Sequence, residues 1–297
     1  MQPDCPAFAA ARNWGQGQSR ERERRRHLTA ARHAPTMHLA MDSDDWITGR
    51  VTLRIGTQPV DVELTVPAKP VQLHRMIPIF QQLTDMFVDG SSERAARDGR
   101  QVSCKAGCGA CCRQAVPLSE AEMQHIAELV EAMPEPRRST VRERFAAGVA
   151  QLRANGWFEA MDAYVQAAPV MPREQAKQQL NGLALRYFHQ GVACPFLEDE
   201  SCSIHADRPL ACREYLVTSP AEHCRTLGLG NVRKVDMVWK LSTPLKAISE
   251  TGRFGKDRFL PMILALELVQ EHPQALAEKT GPEWMAAFFE QLGPEKD

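Results

Sequence analysis

Residues 104–112 read Cys-Lys-Ala-Gly-Cys-Gly-Ala-Cys-Cys, four thiols in nine positions with the spacing C-x3-C-x2-C-C. Cys194, Cys202, Cys212 and Cys224 form a second group, so eight of the nine cysteines fall into two sets. Thiolates gathered in this way are suited to a soft metal ion or an iron–sulfur cluster. Two cysteines separated by two residues in a tight turn can direct both sulfurs at one centre. Gly107 and Gly109 flank Cys108, where such a turn needs backbone freedom. Cys104 can close on the same centre. Cys111 and Cys112 are neighbours whose Cβ vectors diverge. Both on one ion is therefore not expected, and one of them should serve a second centre or face the second group.

The second group reads Cys194-Pro-Phe-Leu, then Cys202-Ser-Ile-His, then Arg208-Pro-Leu-Ala-Cys212-Arg213. Pro195 and Pro209 stiffen loops beside the thiols. Four thiolates around Zn²⁺, or around a [4Fe–4S]²⁺ core, leave a formal charge of about −2. Arg208, Arg213 and Lys105 are the cations placed to offset that charge and to donate N–H bonds to sulfur. Zinc sites favour paired C-x2-C knuckles. The second group has none, with only His205 and His223 as nearby nitrogen ligands, so the balance leans towards iron–sulfur.

The run C-x3-C-x2-C-C, then Cys-Pro-Phe-Leu, then Cys-x-Ile-x-x-x-Arg-Pro-x-x-Cys-Arg resembles the YkgJ-type cysteine-cluster family. In the same motif it is similar to the flagellin lysine-N-methylases. The likeness spans about residues 100–225 and carries seven cysteines, Pro195, Arg208 and Pro209 in order. It implies a zinc or iron site with Cys104, Cys108, Cys111, Cys112, Cys194, Cys202 and Cys212 as ligands, and Cys224 as an eighth. It implies little about substrate. C-x3-C-x2-C is also the spacing of radical S-adenosylmethionine enzymes. Ala110 stands where those carry an aromatic residue, no Gly-rich segment for the sulfonium follows, and the helical pattern is not that of a barrel of alternating strands and helices.

Three functions follow as readings: a metal-binding protein for chelation, storage or delivery; an iron–sulfur enzyme using S-adenosylmethionine to methylate a protein lysine; and an interaction module stapled by zinc. The partners implied are a metal ion or cluster and a protein partner or substrate. Neither nucleic acid nor membrane is implied, because the formal net charge is −1. The longest apolar stretch, Phe259 to Val269, is shorter than the roughly 20 residues of a membrane span. With no apolar leader in the sequence as read, the expected setting is the cytoplasm of a bacterium, where thiols stay reduced and clustered cysteines favour metal over disulfides.

The elements that must position these residues read as mainly α. Residues 1–45, with Cys5 and an Arg-rich run at 20–26, read as a disordered tail, with Met37 or Met41 as alternative starts. Residues 46–69 alternate apolar and polar through Val51, Leu53, Ile55 and Val60, Val62, Leu64, Val66, which predicts a β-hairpin. Residues 70–230 are expected to form the cysteine-cluster domain, and 231–297 a helical extension packed on it. Helices are predicted from Ile77 to a stop near Gly90, after a Ser119/Glu122 capping box, through Val141–Leu152, and from Pro172 to His189. Two more are predicted over Phe259–Gln270 and after a Thr280/Glu283 capping box.

Overall fold

The computed structural model describes residues 37–43, 45–55, 58–227, 230–254, 259–273 and 277–292. Cys5 and the Arg-rich run lie outside them. In chain order the elements are β1 (Met37–Ser43), β2 (Trp46–Ile55), β3 (Gln58–Pro67), β4 (Val71–Gln72), α1 (Ile77–Arg97), α2 (Glu120–Glu131), α3 (Arg137–Ala154), α4 (Trp157–Ala167), α5 (Arg173–His189), β5 (Leu197–Glu198), β6 (Ser201–Cys202), α6 (Leu210–Arg213), α7 (Ser242–Ser249), α8 (Ala265–Glu271), β7 (Glu278–Lys279) and α9 (Gly281–Gln291). The architecture is mainly α, as the periodicity predicts. The described residues divide into two compact units, one of 37–79, 243–248 and 277–292, the other of 80–242 and 249–273. The units interleave along the chain, whereas the sequence pattern suggests contiguous domains.

In the first unit β2 and β3 pair antiparallel, with Val51 opposite Val62 and Leu53 opposite Val60. Val51, Leu53, Val62, Leu64 and Val66 are buried on one face, as period-2 alternation requires. Met37–Ser43, at the end of the segment read as a tail, adds a third strand on the outer side of β2. That strand has no clean alternation in the sequence and is held by its ladder. The Thr280/Glu283 capping box forms and starts α9. The α9 residue Trp284 donates from Nε1 to the Val71 carbonyl at 2.8 Å.

In the second unit α1 runs through Gly90 to Arg97. A single glycine costs a helix only about 1 kcal/mol relative to alanine. The hydroxyls of Ser91 and Ser92 donate to the carbonyls of Phe87 and Val88, at 2.7 and 2.8 Å, and the turn continues. The core gathers Leu118, Met123, Ile126 and Val130 with Val141, Phe145, Val149 and Leu152, the faces predicted for α2 and α3. Trp157 of α4 joins them, edge-on to Tyr187 at 5.2 Å between ring centroids.

Glu122 links this scaffold to the second cysteine group. It closes the predicted capping box by accepting from the Ser119 N–H at 2.9 Å. Its other oxygen accepts from the Leu210 N–H, also at 2.9 Å, at the start of the helix that carries Cys212. Burial holds its carboxyl above the usual range. Glu122→Ala orphans two buried N–H donors and leaves a void, so it is expected to lower stability by about 2–4 kcal/mol. An unchanged urea midpoint would contradict that role.

Candidate metal centre

The first cysteine group lies in two successive tight turns. The Cys108 N–H donates to Lys105 O at 3.1 Å, and the Cys112 N–H to Gly109 O at 3.0 Å. Gly107 has φ of +82°, the conformation for which glycine suits the turn. Gly109 is needed for a different reason. A Cβ there would lie 2.4 Å from the carbonyl oxygen of Glu200, so backbone meets backbone at that point. Gly109→Ala is expected to cost about 1–3 kcal/mol by overpacking and to lower bound metal with it. Gly90→Ala, which meets no atom within 4 Å, is the control and should stabilise slightly. Equal melting temperatures for the two variants would sink the argument.

The second group is delivered by three elements. Cys194 precedes the β5–β6 hairpin, whose last residue is Cys202. The two residues of its turn, Asp199 and Glu200, both have positive φ, at 47° and 59°. Two-residue hairpin turns of this hand require that, at a cost of about 1–2 kcal/mol for each non-glycine residue. The turn lets Glu200 grip Arg113 at 2.6 Å and Arg225 at 3.2 Å. One carboxylate thereby ties together the segments that follow Cys112 and Cys224. Cys212 sits in α6, and Cys224 in a 3₁₀ turn over Ala221–Arg225.

All eight of these cysteines, Cys104, Cys108, Cys111, Cys112, Cys194, Cys202, Cys212 and Cys224, line one cavity of about 290 Å³. Each is a free thiol. The two groups, remote in sequence, converge in space. Among the described residues no three His, Cys, Asp or Glu side chains are gathered as ligands of one ion.

Burial governs their protonation. It pushes Cys194 up to about 12 and Cys224 up to about 11, and raises Cys104, Cys202 and Cys212 as well. Cys111 is the exception, held down at about 7 by a hydrogen bond from the Cys112 thiol, with the Arg208 charge assisting. Cys112, which keeps that proton, is raised. Desolvated thiols prefer to stay neutral, so a bound metal must displace their protons.

The three predicted cations separate. Arg208 lines the cavity, and its Nε is buried with no hydrogen-bond partner among the described residues. Such a donor beside eight sulfurs fits an anionic thiolate-bound group. Lys105 lines the exposed edge. Arg213 is not brought to the cavity. Its guanidinium pairs with Asp85 at 2.5 Å and donates to the carbonyls of Ala206 and Arg208, so it braces the loop that carries Arg208. The motif puts Arg208 and Arg213 alike, and the fold alone tells them apart. His205 borders the cavity, whereas His223 is engaged through Nδ1 with the Asn231 carbonyl at 2.7 Å. Sequence reasoning missed Tyr215, which also lines the cavity beside Cys224.

Residues 103–231 match the family model CxxCxxCC, described as "Putative zinc- or iron-chelating domain". Over these residues, less than half of the chain, it is similar to that family. The match takes in both cysteine groups and every thiol of the cavity. No curated protein and no solved structure matches the chain. Metal binding is thus the function that the CxxCxxCC match and the thiol-lined cavity support together. No described helix is long and apolar enough to cross a membrane.

Proposed function

We propose that the CxxCxxCC domain binds its metal in the thiol-lined cavity, with iron–sulfur favoured over single zinc ions. One observation carries the reading: eight cysteines from two distant groups line a single 290 Å³ space. A tetrahedral zinc at Zn–S of about 2.3 Å needs its four sulfurs within about 4 Å of one another. Eight thiols on one space are more than a single zinc ion can take. Sulfurs standing around a space suit a core with atoms of its own. Arg208 would donate to that core and offset its charge. The function is then the holding of a metal group, with Cys108 and Cys202 as ligands from either side.

Purification without oxygen, followed by metal and acid-labile sulfide analysis and an ultraviolet–visible spectrum, tests this. Iron and sulfide in equal amounts, with visible absorption bleached by air, would support a cluster. Zinc without sulfide would move the assignment to zinc. A protein that takes up neither metal overturns the proposal. Arg208→Gln is expected to weaken metal retention about 10–100-fold against a chelator, with little change in the melting of the metal-free chain. Unaltered retention would remove Arg208 from the site.

A further inference from the structure

We infer that the cavity holds two centres of four cysteines each, divided between the vicinal pair: Cys104, Cys108, Cys111 and Cys224 form one, and Cys112, Cys194, Cys202 and Cys212 the other. The inference rests on the metal-binding reading above and adds the number of centres and the partition of ligands.

The first set shares a local core. Cys224, 3% exposed, is buried with Ala110 and Val217, and the thiols packed against them are Cys104, Cys108 and Cys111. The backbone enforces this. The Val217 N–H donates to Cys104 Sγ at 3.4 Å, and the Ser103 N–H donates to Val217 O at 2.9 Å. The Ser103 hydroxyl reaches Ser219 O at 2.5 Å. Residues 103 and 104 are thereby fastened to the segment that leads to Cys224.

The second set belongs to a different core. Cys194 and Cys202 pack against the large cluster that contains Phe196, Ile204 and Leu118. The Cys194 N–H donates to the Cys112 carbonyl at 2.7 Å, which joins Cys112 to this side. Cys212, carried by α6 at the wall of the same cavity, is the remaining thiol and completes this set. Cys111 stands at the boundary, next to Cys112 in the chain. Cys111 packs on the core of Cys224 while Cys112 is joined through its carbonyl to Cys194, so the vicinal pair is the dividing line.

The count closes. Four thiolates complete either a zinc site or a [4Fe–4S] cluster, and no cysteine of the eight is left over. Two such centres together carry a formal charge of about −4. Arg208, which lines the same cavity with its Nε buried and without a hydrogen-bond partner among the described residues, is the cation placed to answer that repulsion.

The test is native mass spectrometry of the full chain, prepared without oxygen and loaded in separate samples with Zn²⁺ alone and with iron plus sulfide. The wild type should carry two zinc ions, or two clusters. Cys104→Ser/Cys224→Ser and Cys194→Ser/Cys212→Ser should each keep one. A wild type that saturates at one ion or one cluster overturns the inference while leaving metal binding intact, and it does so even if a double variant fails to fold. Loss of all metal from a double variant whose circular dichroism is native overturns it too. A wild type that binds no metal fails the underlying reading instead.

Discussion

Cys108→Ser and Cys202→Ser are each expected to lose metal and to melt lower, both effects together, by about 10 °C or more. Metal held by thiolates is folding energy, because the site does not exist in the unfolded chain. Cys108 lies between the two turns of residues 105–112, and Cys202 ends the hairpin that Glu200 fastens to Arg113 and Arg225. Losing either ligand releases one of the segments that the metal group holds against its neighbours. A loss of about 3–5 kcal/mol corresponds to roughly 10 °C in a unit of this size. Complete unfolding is not expected. The core of Met123, Ile126, Phe145, Leu152, Trp157 and Phe196 is buried and built mainly from apolar side chains, with Cys194 and Cys202 only at its margin. The measurement is metal per chain and melting temperature for each variant and the wild type, all purified without oxygen. Full metal and full stability in both variants would mean that the cysteines serve redox chemistry and not a shared metal site.

The sequence makes the helical scaffold legible where side chains repeat with the helical period. The Ser119/Glu122 and Thr280/Glu283 boxes form as predicted, because each is a local hydrogen-bond exchange that needs no tertiary partner. Val141, Phe145, Val149 and Leu152 mark the buried stripe of α3 for the same reason. What eludes a linear reading is whatever depends on ladder pairing or on a weak local preference overridden by its surroundings. β1 becomes a strand through its pairing with β2. α4 follows directly after α3 across Gly156 and has too few positions for its period to separate from its neighbour's. α1 passes Gly90 because Ser91 and Ser92 bond back along the helix.

At the site, the thiols are legible as a set, and their number and spacing alone point to a soft-metal group. Their convergence is a tertiary fact, produced by the Cys194–Cys112 backbone bond and the Glu200 clamp. The roles of the arginines are also tertiary. Arg208 and Arg213 stand five residues apart and bracket Cys212, yet one faces the cavity and the other faces Asp85. Arg213→Ala is therefore a variant of loop support. Cys224, the eighth cysteine beyond the seven of the motif, is the buried thiol of its local core.

The pH dependence of stability should reverse sign when metal is bound. In the metal-free fold, burial raises Cys194 to about 12 and Cys224 to about 11 from an ordinary thiol value of 9.0. Above pH 9 the unfolded chain has released these protons and the fold still holds them. The unfolded state then binds fewer protons, and stability falls as pH rises from about 9 towards 11. Each such thiol contributes at most about 1.4 kcal/mol per pH unit, less where neighbouring thiols titrate together. Cys111, held down at about 7, works in the opposite direction between about 7 and 9, so the fall begins only above that range. With metal bound, the ligating thiols are deprotonated in the fold, and each then behaves as a group of depressed pKa. Its stabilisation is present above the unfolded value and is lost as acid returns the proton and expels the metal. Urea midpoints measured anaerobically at intervals from pH 6 to pH 10.5, with metal and with a chelator, read both slopes. The metal-free chain should weaken towards alkali and the loaded chain towards acid. Parallel curves in the two samples would show that the buried thiols are not the groups the metal displaces.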